Sequence, residues 1–263
     1  VTSGGYIKRT PLTDFRSQRR GGKGLSGMQT KDEDVVTTLF VANTHTQLLF
    51  FTTDGMAYKL KTSRLPQGAR VAKGKAIVNI LPIPQGASVA AIMPVDAPEA
   101  EWENLQIIFA TSAGDVRRNA LSDFTNVRSN GKIAMDLPEG VELVNVRVAT
   151  EDDDVMLVTN SGRAIRFASN DVRVFKGRKS TGVRGIRLVG DDRVVSMSII
   201  RHFVATPDER AAYLKMRRAV AGMVDDDGAS DEDETNSNAT ISQERYAEMS
   251  AAENLILTIS VSG

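Results

Sequence analysis

The chain has 263 residues, 41% of them hydrophobic and 25% charged, with no cysteine and only two histidines, His45 and His202. That composition excludes a disulfide framework, a thiolate metal site, a cysteine nucleophile and an ordinary histidine-rich metal centre. No apolar run approaches ~18 residues and the first residues do not read as a leader, so the reading is a cytoplasmic protein with no membrane partner. The net charge of zero hides a partition: residues 1–202 carry 28 Lys and Arg against 21 Asp and Glu, and residues 203–263 carry 5 against 12. A body of net +7 with an appendage of net −7 points to a polyanionic partner for the body.

The elements follow an internal repeat: a strand, a tight turn ending in glycine, then a short strand with Lys or Arg. It occurs as VTSGGYIKR (1–9), FTTDGMAYKLK (51–61), FATSAGDVRR (109–118) and LVTNSGRAIRF (157–167), and LTISVSG (257–263) matches its first half. The turn glycines are Gly5, Gly55, Gly114, Gly162 and Gly263, spaced by 50, 59, 48 and 101 residues. In the second repeat, strands are expected at 35–43, 47–53, 56–61 and 76–81. In the third they are expected at 88–95, 105–111, 115–119 and 133–137, and in the fourth at 142–149, 155–160, 164–168 and 185–189. A fifth repeat opens at 194–200. Four short strands per period of about 50 residues is the count of a propeller blade, and such blades must stack on neighbours to bury both faces. The fold class expected is therefore all-β and β-propeller-like. The long loop before each fourth strand carries a second Gly/Lys cluster: Gly22-Lys23-Gly24, Lys73-Gly74-Lys75, Asn130-Gly131-Lys132 and Lys179-Ser180-Thr181-Gly182.

The doubled last spacing implies an insertion at 203–253, leaving 1–202 and 254–263 as the β body. Thr206-Pro207-Asp208-Glu209 reads as a capping box opening a helix over 207–220. Residues 223–240, acidic and almost free of apolar side chains, are expected to be disordered. A second short helix is expected at 243–252. The acidic run either competes with a polyanion for the basic body or is a solvated loop.

Residues 18–24 read Gln18-Arg19-Arg20-Gly21-Gly22-Lys23-Gly24 and follow GGYIKRTPLTDFR. This segment resembles the first blade of the carboxy-terminal domain of the DNA gyrase A subunit, whose seven-residue GyrA box QRRGGKG matches. The resemblance covers the whole chain apart from the insertion. It implies a six-bladed β-pinwheel with strands exchanged between neighbouring blades, which wraps duplex DNA around its rim and enables negative supercoiling. It also implies a larger assembly, an A2B2 heterotetramer formed by complete gyrase A chains with gyrase B chains. ATP and Mg²⁺ would be used there rather than in this chain, at a nucleoid-associated location. Because the chain reaches only the turn of a fifth repeat, it is read as a fragment whose disc is not closed. A topoisomerase IV-type domain, the alternative, typically lacks an intact box, whereas this chain has one. A WD-type scaffold would carry GH…WD markers, which this sequence does not.

Wrapping needs cations spaced around a rigid curve, not base readout. The resemblance makes Arg19, Arg20 and Lys23 phosphate ligands, with Gln18 beside them and Gly21, Gly22 and Gly24 letting backbone N–H groups approach. The repeated basic places add Lys8, Arg9, Lys59, Lys73, Lys75, Arg117, Arg118, Lys132, Arg166, Lys176, Arg178 and Lys179. Lys61, Arg163, Arg184 and Arg187 share those places. Successive strand residues face opposite ways, so about half of these are expected to reach DNA. No catalytic constellation is legible: two histidines support no Ser/His/Asp set, the aspartates at 152–154 and 225–227 lack an EF-hand pattern, and Trp102 reads as a packing anchor.

Overall fold

Among the described residues the turn glycines close tight hairpins. Gly5, Gly55, Gly114 and Gly162 sit at φ of 76°, 81°, 86° and 82°, the left-handed region that a Cβ disfavours. In this computed structural model, which describes residues 1–15, 24–30, 33–177, 180–220 and 240–255, the chain forms two compact units, Val1–Ile199 and Ile200–Gly263.

The first repeat supplies β1 (Tyr6–Ile7). The second supplies β2 (Gln47–Thr52), β3 (Met56–Lys61) and β4 (Lys75–Ala76). The third supplies β5 (Val89–Val95), β6 (Gln106–Thr111), β7 (Asp115–Ala120) and β8 (Lys132–Ile133). The fourth supplies β9 (Leu143–Ala149), β10 (Asp153–Thr159), β11 (Ala164–Ala168) and β12 (Val183–Arg184), before β13 (Val194–Arg201) opens the fifth.

Repeats and sheets are out of step. The sheets run β5-β2-β3-β8, β9-β6-β7-β12 and β13-β10-β11, with β1 paired to β4. Each four-stranded sheet keeps the second and third strands of one repeat and borrows the first and fourth from the next. The fold is all-β and propeller-type, and its blades are interleaved.

The borrowed fourth strands are only two residues long, shorter than the sequence reading of 76–81, 133–137 and 185–189. The cause is a repeated hydrogen bond. Ile77 N–H donates to Gly5 O at 2.8 Å, Ala134 N–H to Gly55 O at 2.8 Å, and Gly185 N–H to Gly114 O at 2.8 Å. Docking on the turn glycine ends the ladder, and after Ala76 the chain enters a 3₁₀ turn, Ile77–Asn79. The strand expected at 35–43 is reduced to one antiparallel bridge, Thr2 to Val36. A carboxylate staple ties the first and fourth hairpin turns to the start of the next repeat: Gly4 N–H donates to Asp34 Oδ1 at 2.7 Å, and Ser161 N–H to Asp192 Oδ1 at 3.0 Å. These bonds hold both carboxyls below the usual range, through Gly4 N–H first for Asp34 and Ser161 Oγ–H first for Asp192.

Stacking buries both faces of the central strands. Leu48, Leu49, Phe50 and Phe51 are each 0% exposed, which explains why QLLFFT lacks the alternation of a half-exposed strand. Phe51 meets Phe109 and Phe124 edge-on, each at 5.6 Å between centroids. Trp102 anchors the same core, its Nε1–H donating to Ala97 O at 2.9 Å. A second core joins Ile108 and Val116 to Val155 and Leu157 of the following sheet.

The second unit contains α1 (Pro207–Val220) and α2 (Gln243–Ala251). Glu209 N–H donates to Thr206 Oγ1 at 3.2 Å and Thr206 N–H to Glu209 Oε2 at 2.7 Å, closing a capping box. Tyr213 packs on Tyr246 at 5.2 Å between centroids, and Arg245 pairs with Glu209 and Glu248, each at 2.9 Å. The run at 223–239 lies outside the described residues, as does the fifth-repeat match at 257–263.

Candidate nucleic-acid interface

The first strands of consecutive sheets, β5 and β9, lie against one another. The opposite edges, carrying β8 and β12, therefore face away from that contact, and the loops between third and fourth strands lead into them and, in the second repeat, into β4, which pairs with β1. These loops, 62–75, 121–132 and 169–184, hold eleven Lys and Arg but only two acids, Asp123 and Asp171. The stretch β5 carries no charge at all. Positive charge is thus concentrated in the loops that lead to the fourth strands, although β9 also exposes Arg147.

Among the residues singled out from sequence, those on this edge are Lys75, exposed on β4, Lys132 on β8 and Lys176, exposed in the loop before β12. Lys132 Nζ also donates to Asp123 O at 2.6 Å and Asn126 O at 3.2 Å. Lys73 lies over the Tyr6 ring, 3.6 Å from its centroid. Exposed Arg184 on β12 joins the set. Its charge opposes the effect of burial, which pushes the carboxyl of its cross-strand partner Asp115 up.

Other candidates turn inward. Arg117 is 0% exposed: Nε donates to Asn119 Oδ1 at 2.8 Å, Nη1 to Ser180 O at 2.7 Å, and Nη2 to Ala134 O. Arg118 is 5% exposed. Lys59 reaches Glu99 Oε1 at 2.9 Å and Thr125 O, beneath Trp102. Arg9 Nε donates to Leu65 O at 3.0 Å. Lys8 Nζ donates to Ala69 O at 2.9 Å and Arg70 O at 2.5 Å, and burial, then the Arg70 charge, lowers its pKa. Arg166 is exposed and spans to Asp154 Oδ2 at 2.6 Å. Arg117 and Arg118 in particular are packed between blades. The interleaved strands bury β7 on both faces.

Gly24 is exposed, with open space where a Cβ would stand. The rest of the box, Gln18, Arg19, Arg20, Gly21, Gly22 and Lys23, lies outside the described residues, as do Arg178 and Lys179. The sequence reading passed over Arg64, Arg128 and Arg173, all exposed in the same loops. Their signal was position between the third strand and the loop glycine, not adjacency to glycine. Among the described residues no His, Asp and Glu side chains gather as a metal site, and no helix is long and apolar enough to cross a membrane.

The comparisons with known proteins follow the repeats. The family described as DNA gyrase C-terminal domain, beta-propeller, matches residues 1–43, 46–96, 106–150 and 153–201. The DNA gyrase A subunit of Granulibacter bethesdensis is 45% identical over all of this chain and 29% of its own length. That of Rickettsia bellii is 43% identical over the same shares. The chain thus spans less than a third of these relatives. Among solved structures, the C-terminal domain of DNA topoisomerase IV is similar at a TM-score of 0.64 and 27% identity, over 77% of this chain and 60% of that one. A DNA gyrase A C-terminal domain shares the fold at a TM-score of 0.59 and 23% identity, over 76% and 63%. The four matched stretches coincide with four glycine-turn repeats whose strands interleave, and the relatives match from end to end of this sequence: the chain belongs to the DNA gyrase C-terminal domain family.

Proposed function

We propose that this chain binds duplex DNA along the β8/β12 edge and bends it around the stacked blades, as the wrapping domain of a gyrase A subunit. The observation that carries the reading is the segregation of cations into the third-to-fourth loops, eleven against two acids. Phosphate neutralisation at such an edge releases counterions and needs no base readout. Curvature of the duplex is then offset by the added contacts. Lys73, Lys75, Lys132, Lys176 and Arg184 form the edge row, and Arg178 and Lys179 are further candidates by sequence alone. The resemblance adds the box cations Arg19, Arg20 and Lys23 as phosphate ligands, with Gly21, Gly22 and Gly24 admitting close backbone approach. The chain itself is non-catalytic in this reading. ATP, Mg²⁺ and the cleaving machinery belong to the rest of an A2B2 holoenzyme acting on the nucleoid. The intact QRRGGKG favours gyrase-type wrapping over topoisomerase IV-type docking.

The test is topological. The chain is incubated with relaxed circular DNA and a nicking-closing topoisomerase across a salt series, and the trapped linking number is scored. The expected result is a shift that fades with salt and is lost when Arg19, Arg20 and Lys23 are replaced by Ala. Binding without a shift reduces the function to docking. No binding by a folded sample ends the DNA reading.

A further inference from the structure

Counting four residues on from each turn glycine reaches a cation every time: Arg9, Lys59, Arg118 and Arg166. A periodic cation in a DNA-binding repeat protein invites assignment to DNA, but the geometry points elsewhere. Arg9 Nε donates to Leu65 O, the residue that ends the 3₁₀ turn Thr62–Arg64 of the following repeat. Lys59 Nζ donates to Thr125 O, the residue that ends the 3₁₀ turn Leu121–Phe124 of its own following repeat, and pairs there with Glu99 at 2.9 Å. The backbone repeats the match: Arg9 bridges Gln67 in parallel and Arg118 bridges Val174 in parallel, each just past the next repeat's 3₁₀ turn. The carbonyls closing a helical turn lack internal donors and carry partial negative charge, so a cation from outside satisfies them.

We propose that at Arg9 and Lys59 the cation four residues after the turn glycine is a clamp between successive repeats and not a member of the DNA-binding row. Arg9 and Lys59 are closed clamps. Arg118 occupies the same seat, 5% exposed, with its Nε and Nη1 buried and, among the described residues, without an acceptor. Arg166 is turned to Asp154 within its own sheet. The clamp fixes the angle at which one blade follows the next, and so the curvature of the surface that DNA would follow.

The experiment reads stability and DNA binding separately, on the chain as it stands, with a mixed-sequence duplex as probe. Lys59→Met is expected to lower the Tm by about 5 °C and to leave the slope of log K against log salt unchanged. Glu99→Gln, which removes no cation, is expected to lower the Tm less, again at constant slope, and Lys59→Arg to retain the wild-type Tm. Arg118→Met is expected to leave the Tm unchanged or higher, because two unsatisfied buried donors are removed. A slope reduced by about 0.9 in Lys59→Met, with or without loss of Tm, overturns the proposal, and so does an unchanged Tm. The salt-slope arm rests on the DNA reading. Lys75→Ala and Arg184→Ala report on that reading by itself: if neither changes the slope, DNA binding at this edge fails while the clamp stands or falls on Tm.

Discussion

Arg117→Ala lowers the Tm by about 10 °C, the largest loss expected from any single charged residue in the β unit. Its guanidinium is fully buried and serves acceptors on three segments: Asn119 on its own strand, Ala134 just past β8 and Ser180 before β12. The planar group also lies over Phe109, 5.0 Å from the ring centroid. Truncation leaves a cavity and strands buried acceptors, each worth about 1–3 kcal/mol when unsatisfied. A net loss of about 3–5 kcal/mol follows. Thermal unfolding followed by circular dichroism checks it. A loss under about 1 kcal/mol, small against the range for a broken buried network, would return Arg117 to the surface set. Arg118→Met is the control, adjacent in sequence and opposite in expectation.

Gly55→Ala is the second. A Cβ there would stand 2.2 Å from the Met135 carbonyl oxygen, at a φ of 81°. The same glycine's own carbonyl accepts from Ala134 and Met135 N–H at 2.8 and 3.1 Å. Alanine therefore meets a left-handed backbone penalty of about 1–2 kcal/mol and a backbone clash of about 1–3 kcal/mol. The expected Tm loss is about 6–12 °C. Gly162→Ala meets the backbone penalty alone, since among the described residues nothing lies within 4 Å of the added atom. Equal losses at the two sites would refute the docking role of Gly55.

The parts legible from sequence were those decided within one hairpin. Asp54-Gly55 and Ser161-Gly162 announce turns by backbone chemistry alone, and β3 and β11 span 56–61 and 164–168 as read. The fourth strands were misjudged because their length is set by a hydrogen bond to a turn glycine in the preceding repeat, which no local window contains. The same distance effect governs the site. Lys59 and Lys75 both read as basic residues near a glycine, yet one lies under Trp102 and the other faces solvent. Which of two cations a borrowed strand will cover is a property of the neighbouring repeat. Arg64, Arg128 and Arg173 were missed for the converse reason: no glycine marks them, and only the placement of the third-to-fourth loops at one edge draws attention to them.

Interleaving also orders events in time. The hairpin of β2 and β3 is complete in sequence by residue 61, yet its last partner, β8, ends at Ile133. During synthesis that blade must wait for about a further 70 residues to emerge, several seconds at ribosomal rates of ~5–20 residues per second, with the outer edge of β3 unpaired. The next blade, around β6 and β7, meets the same delay while it waits for β12. Folding is thus ratcheted along the chain, each repeat sealing the one before it, and a ribosome that stalls mid-repeat leaves a nascent chain with one exposed strand edge open to a neighbouring nascent chain.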